Sequence, residues 1–211
     1  MTTAADTQTG GCDRRYAEHA CVWGRAPDPS ALALARHLDL RGATVLDAGC
    51  GEGRNARFLA GQGAHVEAVD VSALAIRHLR AEPAGPALVA WRRADVRTLP
   101  LAPGSLDGVL ACALLHWLPS EGDVAAVLDR LQRAARPGGV HALTVFNARV
   151  PYEPPSAESH LPCLLPHAWY LGRYDGWEVL DASDTDSTGS HPGHEEVHTH
   201  AVTRLVARRT S

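Results

Sequence analysis

Residues 45 to 53 read Val-Leu-Asp-Ala-Gly-Cys-Gly-Glu-Gly, with Gly49, Gly51 and Gly53 at alternate positions after a short apolar run. That spacing lets a chain leaving a buried strand turn tightly and approach a ligand with no Cβ in the way. The helix expected next, Asn55 to Gln62, would open with unpaired N–H groups. A dinucleotide fingerprint wants its third glycine at position 54, where this chain has Arg54. Asp47, two residues before the first glycine, would sit badly beside a pyrophosphate and well beside an ammonium group. Asp70, about 20 residues beyond the glycines, falls where an acid accepts both hydroxyls of a ribose. Asp95, after a third strand, could accept from an adenine amino group. Three acids at successive strand ends are hard to ascribe to turn chemistry alone.

Histidines form the second group. His116, in Leu-Leu-His-Trp, follows the fourth expected strand; it is a candidate at the reacting end or a packing residue. His191, His194, His198 and His200 crowd together near the end with Glu195 and Glu196. Residues 194 to 198 formally match H-E-x-x-H, which binds zinc only when both histidines share one helical face. The following residues are β-branched and follow Pro192 and Gly193, so a strand is expected. Residues four apart in a strand lie roughly 13 Å apart, too far to share one metal. No metal site is therefore expected. His198 and His200 would share a strand face and could take a proton or hold an anion near neutral pH, or remain solvated.

These residues need elements to place them. Strands are expected at Thr44–Asp47, His65–Val69, Ala87–Arg92, Leu106–Ala111 and Val140–Phe146. Ser72 should cap a helix over Ala73–Ala81, and a long helix over Gly122–Ala135 should stop at Arg136-Pro137-Gly138-Gly139. Repeated strand-then-helix units imply a parallel sheet covered on both faces. Upstream, a short helix is expected over Asp13–Ala20, and another over Ala31–Leu38 with Ser30 as its cap. Tyr16, Trp23 and Arg25 anchor the loop between them or form a lid. Downstream, Val150–Pro166 is rich in Pro and Ser. Trp177–Leu180 and Val197–Ala207 read as two strands of a closing hairpin. The chain divides into a tail at 1–11 and a single domain at 12–211: a helical cover (12–40), a cofactor-binding core (41–146) and a C-terminal hairpin region on the substrate side (147–211).

From Leu40 to Phe146 the sequence resembles the class I S-adenosylmethionine-dependent methyltransferase superfamily, on the Asp47–Gly53 turn, Asp70, Asp95, the strand Leu106–Ala111 and residues 136–139. The resemblance implies an α/β doubly wound, Rossmann-like sheet of seven strands in three α/β/α layers, in order 3-2-1-4-5-7-6 with the last strand antiparallel. It also implies that S-adenosylmethionine is the cofactor. Its methionine end would lie at Asp47, Gly49, Cys50, Gly51, Gly53, Arg54 and Asn55, its ribose at Asp70 and Val71, and its adenine at Asp95 and Val96, with Cys112 nearby. Cys50–Asn55 with Phe58-Leu59-Ala60, Arg173–Val179 and Leu205–Arg208 look similar to the tellurite-resistance methyltransferases, which act on chalcogen oxyanions or thiol-like nucleophiles. That family's C-terminal His and Arg pair has no clear counterpart here. The reaction expected is methylation of a small soft nucleophile (a thiol or a selenium or tellurium species), with His116, His198 and His200 as catalytic candidates. The alternatives are O- or N-methylation of a small metabolite, a non-catalytic adenosylmethionine-binding module, and a nicotinamide oxidoreductase.

Composition narrows the rest. The 211 residues suit one domain, with 45% apolar and 21% charged residues and a formal net charge of −4. No basic run suggests nucleic acid or an anionic membrane, so a small-molecule acceptor and a monomer or homodimer are expected. Five cysteines without a C-x-x-C pair suit reduced thiols in a cytoplasm. No apolar run suggests a signal peptide or a membrane span.

Overall fold

A computed structural model describes residues 13, 16–17, 23–82, 87–152, 161–191 and 194–211. Its strands are β1 (Thr44–Ala48), β2 (His65–Asp70), β3 (Val89–Arg93), β4 (Leu106–Cys112), β5 (Ala135–Phe146), β6 (Trp177–His191) and β7 (His194–Arg209). They form one sheet in the order β3-β2-β1-β4-β5-β7-β6, as the resemblance implies. β7 is antiparallel to both its neighbours, and the other pairings are parallel.

Among the described residues the sheet is flanked by α1 (Pro29–His37), α2 (Arg54–Gly61), α3 (Ala73–Ala81), α4 (Glu121–Ala134) and α5 (His167–Gly172). One face, with Val45, Leu110, Ala142 and Val206, packs against Leu34 of α1, Leu59 of α2 and Ile76 and Leu79 of α3. The other, with Leu46, Val109, Leu143 and Leu205, packs against Val127, Leu128 and Leu131 of α4 and Tyr170 of α5. Burial on both faces explains why β1 and β4 read as apolar runs rather than as alternation. Asp47 interrupts that run, so its position demands an explanation other than packing.

Ser72 caps α3 as expected, its hydroxyl accepting from the Ala75 N–H at 3.0 Å. At α1 the cap is Asp28, not Ser30. The Asp28 carboxylate accepts from the Ser30 N–H at 2.9 Å, Pro29 opens the helix, and the Ser30 hydroxyl donates to Asp28 at 2.6 Å. β3 begins two residues later than expected. The hairpin is the largest difference. β6 runs on through Asp181–His191 and β7 starts at His194, so the polar stretch read as a connection is strand. β5 pairs with β7 only as far as Phe146–Val202, while β6 and β7 stay paired to His191–His194, so the hairpin outruns the sheet. Because 194–198 lies in a strand, the H-E-x-x-H string lacks its helical geometry. Of the helix expected over 13–20, Asp13, Tyr16 and Ala17 are helical and the rest lies outside the described residues. The short helices at Leu115–Trp117 and His167–Gly172 carried no sequence expectation. No helix among the described residues is long and apolar enough to cross a membrane.

Candidate active site

The turn after β1 is built from left-handed backbone. Gly49, Gly51 and Gly53 have φ of 75°, 51° and 77°, and Gly53 is the N-cap of α2. A Cβ on Gly53 would lie 2.6 Å from the Trp91 ring and 2.9 Å from Leu79, so the position admits glycine alone without rearrangement. A Cβ on Gly51 would lie 2.8 Å from the Tyr16 hydroxyl, which places Tyr16 over the turn.

Asp47 and Asp70 meet at this turn. Asp47 is 1% exposed, and neither carboxylate oxygen has a hydrogen-bond partner among the described residues. Burial, reinforced by the charge of Asp70, pushes its pKa up to about 7, against the pull of the Ala56 N–H and of Arg54. Asp70 is better satisfied. Its two oxygens accept from the Gly51 N–H and the Ser72 N–H, each at 2.9 Å. Each oxygen retains acceptor capacity for a further donor. Burial raises the pKa of Asp70 despite those bonds. The Ser72 hydroxyl also donates to Asp13, so the first described residue is tied to the start of α3.

The other expected ligands take local partners. Asp95, half-buried, is bound side-on by Arg97, whose Nη2 lies 2.6 Å from Oδ2 and whose Nε lies 3.0 Å from both oxygens. Burial works against its ionised form, but Arg97 outweighs it and holds the carboxyl below its usual range. Val96 is buried in the core and Val71 is half-buried. Arg54 and Asn55 both grip the segment before α1. Arg54 donates to the Trp23 carbonyl at 2.8 Å and lies 3.5 Å from Asp28, while Asn55 accepts from the Asp28 N–H at 2.8 Å. Glu52 accepts from the Trp23 N–H at 3.2 Å. Asp28 reaches β5 as well, accepting from the Thr144 hydroxyl at 3.1 Å. Residues 23–28 thus form a strap across the glycine turn, β4 and β5. Cys112 lies under it, its thiol pushed up to about 12 by burial first and by Asp28 second. Cys50 is buried and its thiol is likewise raised well above its ordinary value by burial, so neither thiol is a ready nucleophile.

Beyond β4 the backbone kinks at Ala113, whose φ of 52° is the only positive value among the described non-glycine residues. Leu114 then packs on Gly49, and His116 follows in a one-turn 3₁₀ helix. His116 is 0% exposed. Its Nδ1 accepts from the Phe146 N–H at 3.2 Å, and its buried Nε2 has no partner among the described residues. Burial drives its pKa down to about 3, so it stays neutral and positions the end of β5. The rings of His116, Phe146 and His200 stack at centroid distances of 4.3 and 4.0 Å. His198 and His200 share a strand face, with centroids 4.6 Å apart, and Nδ1 of His198 donates to the Glu196 carbonyl at 2.8 Å. Nothing is described of the side chains of His191, His194 and Glu195. No group of metal-ligating side chains occurs among the described residues. Sequence reasoning missed Asp28 and Thr144, although the Asp28-Pro29 pair is itself a helix-start signal.

A methyltransferase domain model matches residues 45–139, which contain the turn, Asp70 and Asp95. A malonyl-[acyl-carrier protein] O-methyltransferase of Pseudescherichia vulneris is 35% identical over 137 residues, covering 65% of this chain and 51% of that protein. The chain spans about half the length of the curated relatives it matches. A structure described for the conversion of a disulfide bond into a thioacetal group during echinomycin biosynthesis is 25% identical, with a TM-score of 0.70 over 96% of this chain and 92% of that one. The 1,6-didemethyltoxoflavin-N1-methyltransferase of Burkholderia thailandensis, solved with 1,6-didemethyltoxoflavin and S-adenosylhomocysteine, is 22% identical, with a TM-score of 0.74 over 98% of this chain and 89% of that one. Its likeness is one of fold, and the fold is the seven-stranded sheet derived above. Residues 45–139 thus match a methyltransferase domain, and the sheet has the fold of a solved S-adenosylhomocysteine-bound methyltransferase.

Proposed function

We propose that the chain transfers a methyl group from S-adenosylmethionine to a small acceptor through a soft nucleophile, a thiol or a selenium or tellurium species. The observation that carries the cofactor assignment is Asp47. A wholly buried carboxylate with two orphaned oxygens is costly, and a cationic ammonium group is the partner that chemistry would satisfy. Asp70 fits the same ligand, since its remaining acceptor sites suit a pair of ribose hydroxyls. Val96 offers an apolar wall to adenine, while the Arg97 clamp leaves Asp95 a weaker claim on the amino group. Arg54 and Asn55 act through the strap rather than by contact.

Bound there, S-adenosylmethionine supplies an electrophilic methyl group on a sulfonium. The chain's own work is then binding, alignment and exclusion of water. Alignment alone can supply about 7–11 kcal/mol of barrier reduction. The strap held by Arg54, Asn55 and Thr144 covers the reacting end, and Tyr16 covers the turn. The wall of His116, Phe146, His200 and Tyr152 is aromatic and suits a polarisable atom such as sulfur. A soft nucleophile needs little base, in keeping with a neutral, buried His116. Likeness to the echinomycin protein, whose described reaction lies at sulfur, favours this acceptor class, as do the short motifs shared with the tellurite-resistance enzymes.

O-methylation is the second reading, favoured by the 35% identity to a malonyl-[acyl-carrier protein] O-methyltransferase; there His198 or His200 would take the proton. An acceptor panel of small thiols, selenite, tellurite and phenolic or carboxylic metabolites, with labelled cofactor, separates the two. Release of adenosylhomocysteine with thiols or selenium species alone supports the first reading, and turnover with hydroxyl or carboxyl acceptors alone overturns it.

A further inference from the structure

A cavity lies outside the proposed cofactor site, on the α1 face of the hairpin. It encloses about 130 Å³ between α1 and strands β6 and β7, and its polar lining is Arg36, Arg204, Ser30, Ser183 and Asp181. That is well below the roughly 300 Å³ where pockets for drug-sized ligands begin, and suits one small charged group. Two guanidinium groups line it, and no carboxylate lies in ion-pair range of either among the described residues. Arg36 has no hydrogen-bond partner among them. Arg204 donates from Nη1 to the Thr185 hydroxyl at 2.9 Å, while its Nε is buried and unpartnered. A buried, unsatisfied guanidinium donor is costly unless an acceptor comes to it. The hydroxyl of Ser183 likewise has no partner among the described residues, whereas that of Ser30 already donates to Asp28. The nearby charge of Asp28 is answered by Arg54 and three hydrogen bonds. Asp181 is exposed and is the one acidic side chain in the lining.

We propose that Arg36, Arg204 and Ser183 form a binding subsite for a small oxyanion, the carboxylate or phosphate end of a ligand. Forked guanidinium donors match both groups. Arg204 is the register partner of Thr144, which holds the strap, and Val202, His200 and His198 continue along the same face of β7. An anion held at Arg204 therefore sits on the β7 face that leads, past the buried Val202, to the histidines at the proposed reacting end. This extension rests on the methyl-transfer reading; the anion subsite does not.

The test is titration calorimetry of the full chain without cofactor, with inorganic phosphate and with acetate as separate arms at constant ionic strength. The wild type binds at least one of the two, and the tighter arm assigns the group as phosphate or carboxylate. R36M and R204M each weaken binding by about tenfold or more, the scale of a lost charged hydrogen bond, and D181N tightens it. Arg36 is exposed, so R36M gives the answer even where R204M fails to fold. No binding of either anion by wild type, or equal affinity in R36M, overturns the subsite. Loss of the subsite with intact adenosylmethionine binding leaves the methyltransferase reading standing, so the two fail separately.

Discussion

Replacing Asp47 by Asn should stabilise the protein without cofactor at alkaline pH while removing its ability to bind adenosylmethionine. The Asp47 carboxyl titrates at about 7 when folded, against an ordinary value of 3.8. An acid whose folded pKa is raised binds its proton more tightly in the folded state. Its contribution to stability is complete below pH 3.8 and is lost as pH rises through 7. Integrating over that window, the loss is about 1.7 kcal/mol at pH 5 and about 4 kcal/mol at pH 8. An amide does not titrate, so the stability of D47N relative to wild type should rise by about 2.5 kcal/mol between pH 5 and pH 8. An opposing term of about 1–3 kcal/mol for burying an unpaired amide reduces the gain at pH 8 without reversing it. Urea unfolding of both proteins at the two pH values measures the difference directly. A D47N-to-wild-type difference that stays constant with pH would refute the buried, unpaired carboxylate. Saturating adenosylmethionine should shrink the wild-type penalty and leave D47N unmoved.

Other outcomes follow from the same geometry. His116 and His141 are both wholly buried with pKa values pushed down by burial to about 3. A lowered folded pKa gives stability that is full above pH 6.5 and is lost as pH falls toward 3. Each should therefore cost about 2 kcal/mol at pH 5, and H141Q should show a correspondingly flatter acid limb in urea titrations. G53A must fit a methyl group against Trp91 and Leu79 at a φ of 77°, so it should lose roughly 2–3 kcal/mol by denaturant unfolding. R54M frees the Trp23 carbonyl and Asp28, so stopped-flow Trp fluorescence should show adenosylmethionine leaving about tenfold faster.

What the sequence revealed and what it hid follow one physical line. The glycine turn and Asp70 were legible because they depend on neighbours in the chain, whereas the sheet order was available only as what the resemblance to the class I methyltransferases implies. β6 was not legible beyond Leu180. Residues 181–190 face solvent along the edge of the sheet, carry Asp, Ser and Thr, and so show no apolar alternation; β7 alone makes them a strand. Ser30 lost the cap of α1 to Asp28 because Pro29 already supplies a favourable first helical residue. The partners of Arg54 and Asn55 lie 26 to 31 residues away in the strap, a separation that no local pattern encodes. His116 reads as a catalytic candidate by its place after β4, but only the packing of Phe146 and Leu115 makes it buried and neutral.

The central claim is that Asp47 and Asp70 together hold S-adenosylmethionine on this turn. Titration calorimetry with S-adenosylhomocysteine, for wild type and D70A, tests it most directly. Wild type should bind it and should ignore NAD. D70A, checked as folded by circular dichroism, should lose about 100-fold or more in affinity, the scale of two lost hydrogen bonds to a charged group. Unchanged affinity in D70A, or binding of NAD in place of adenosylhomocysteine, would contradict the account.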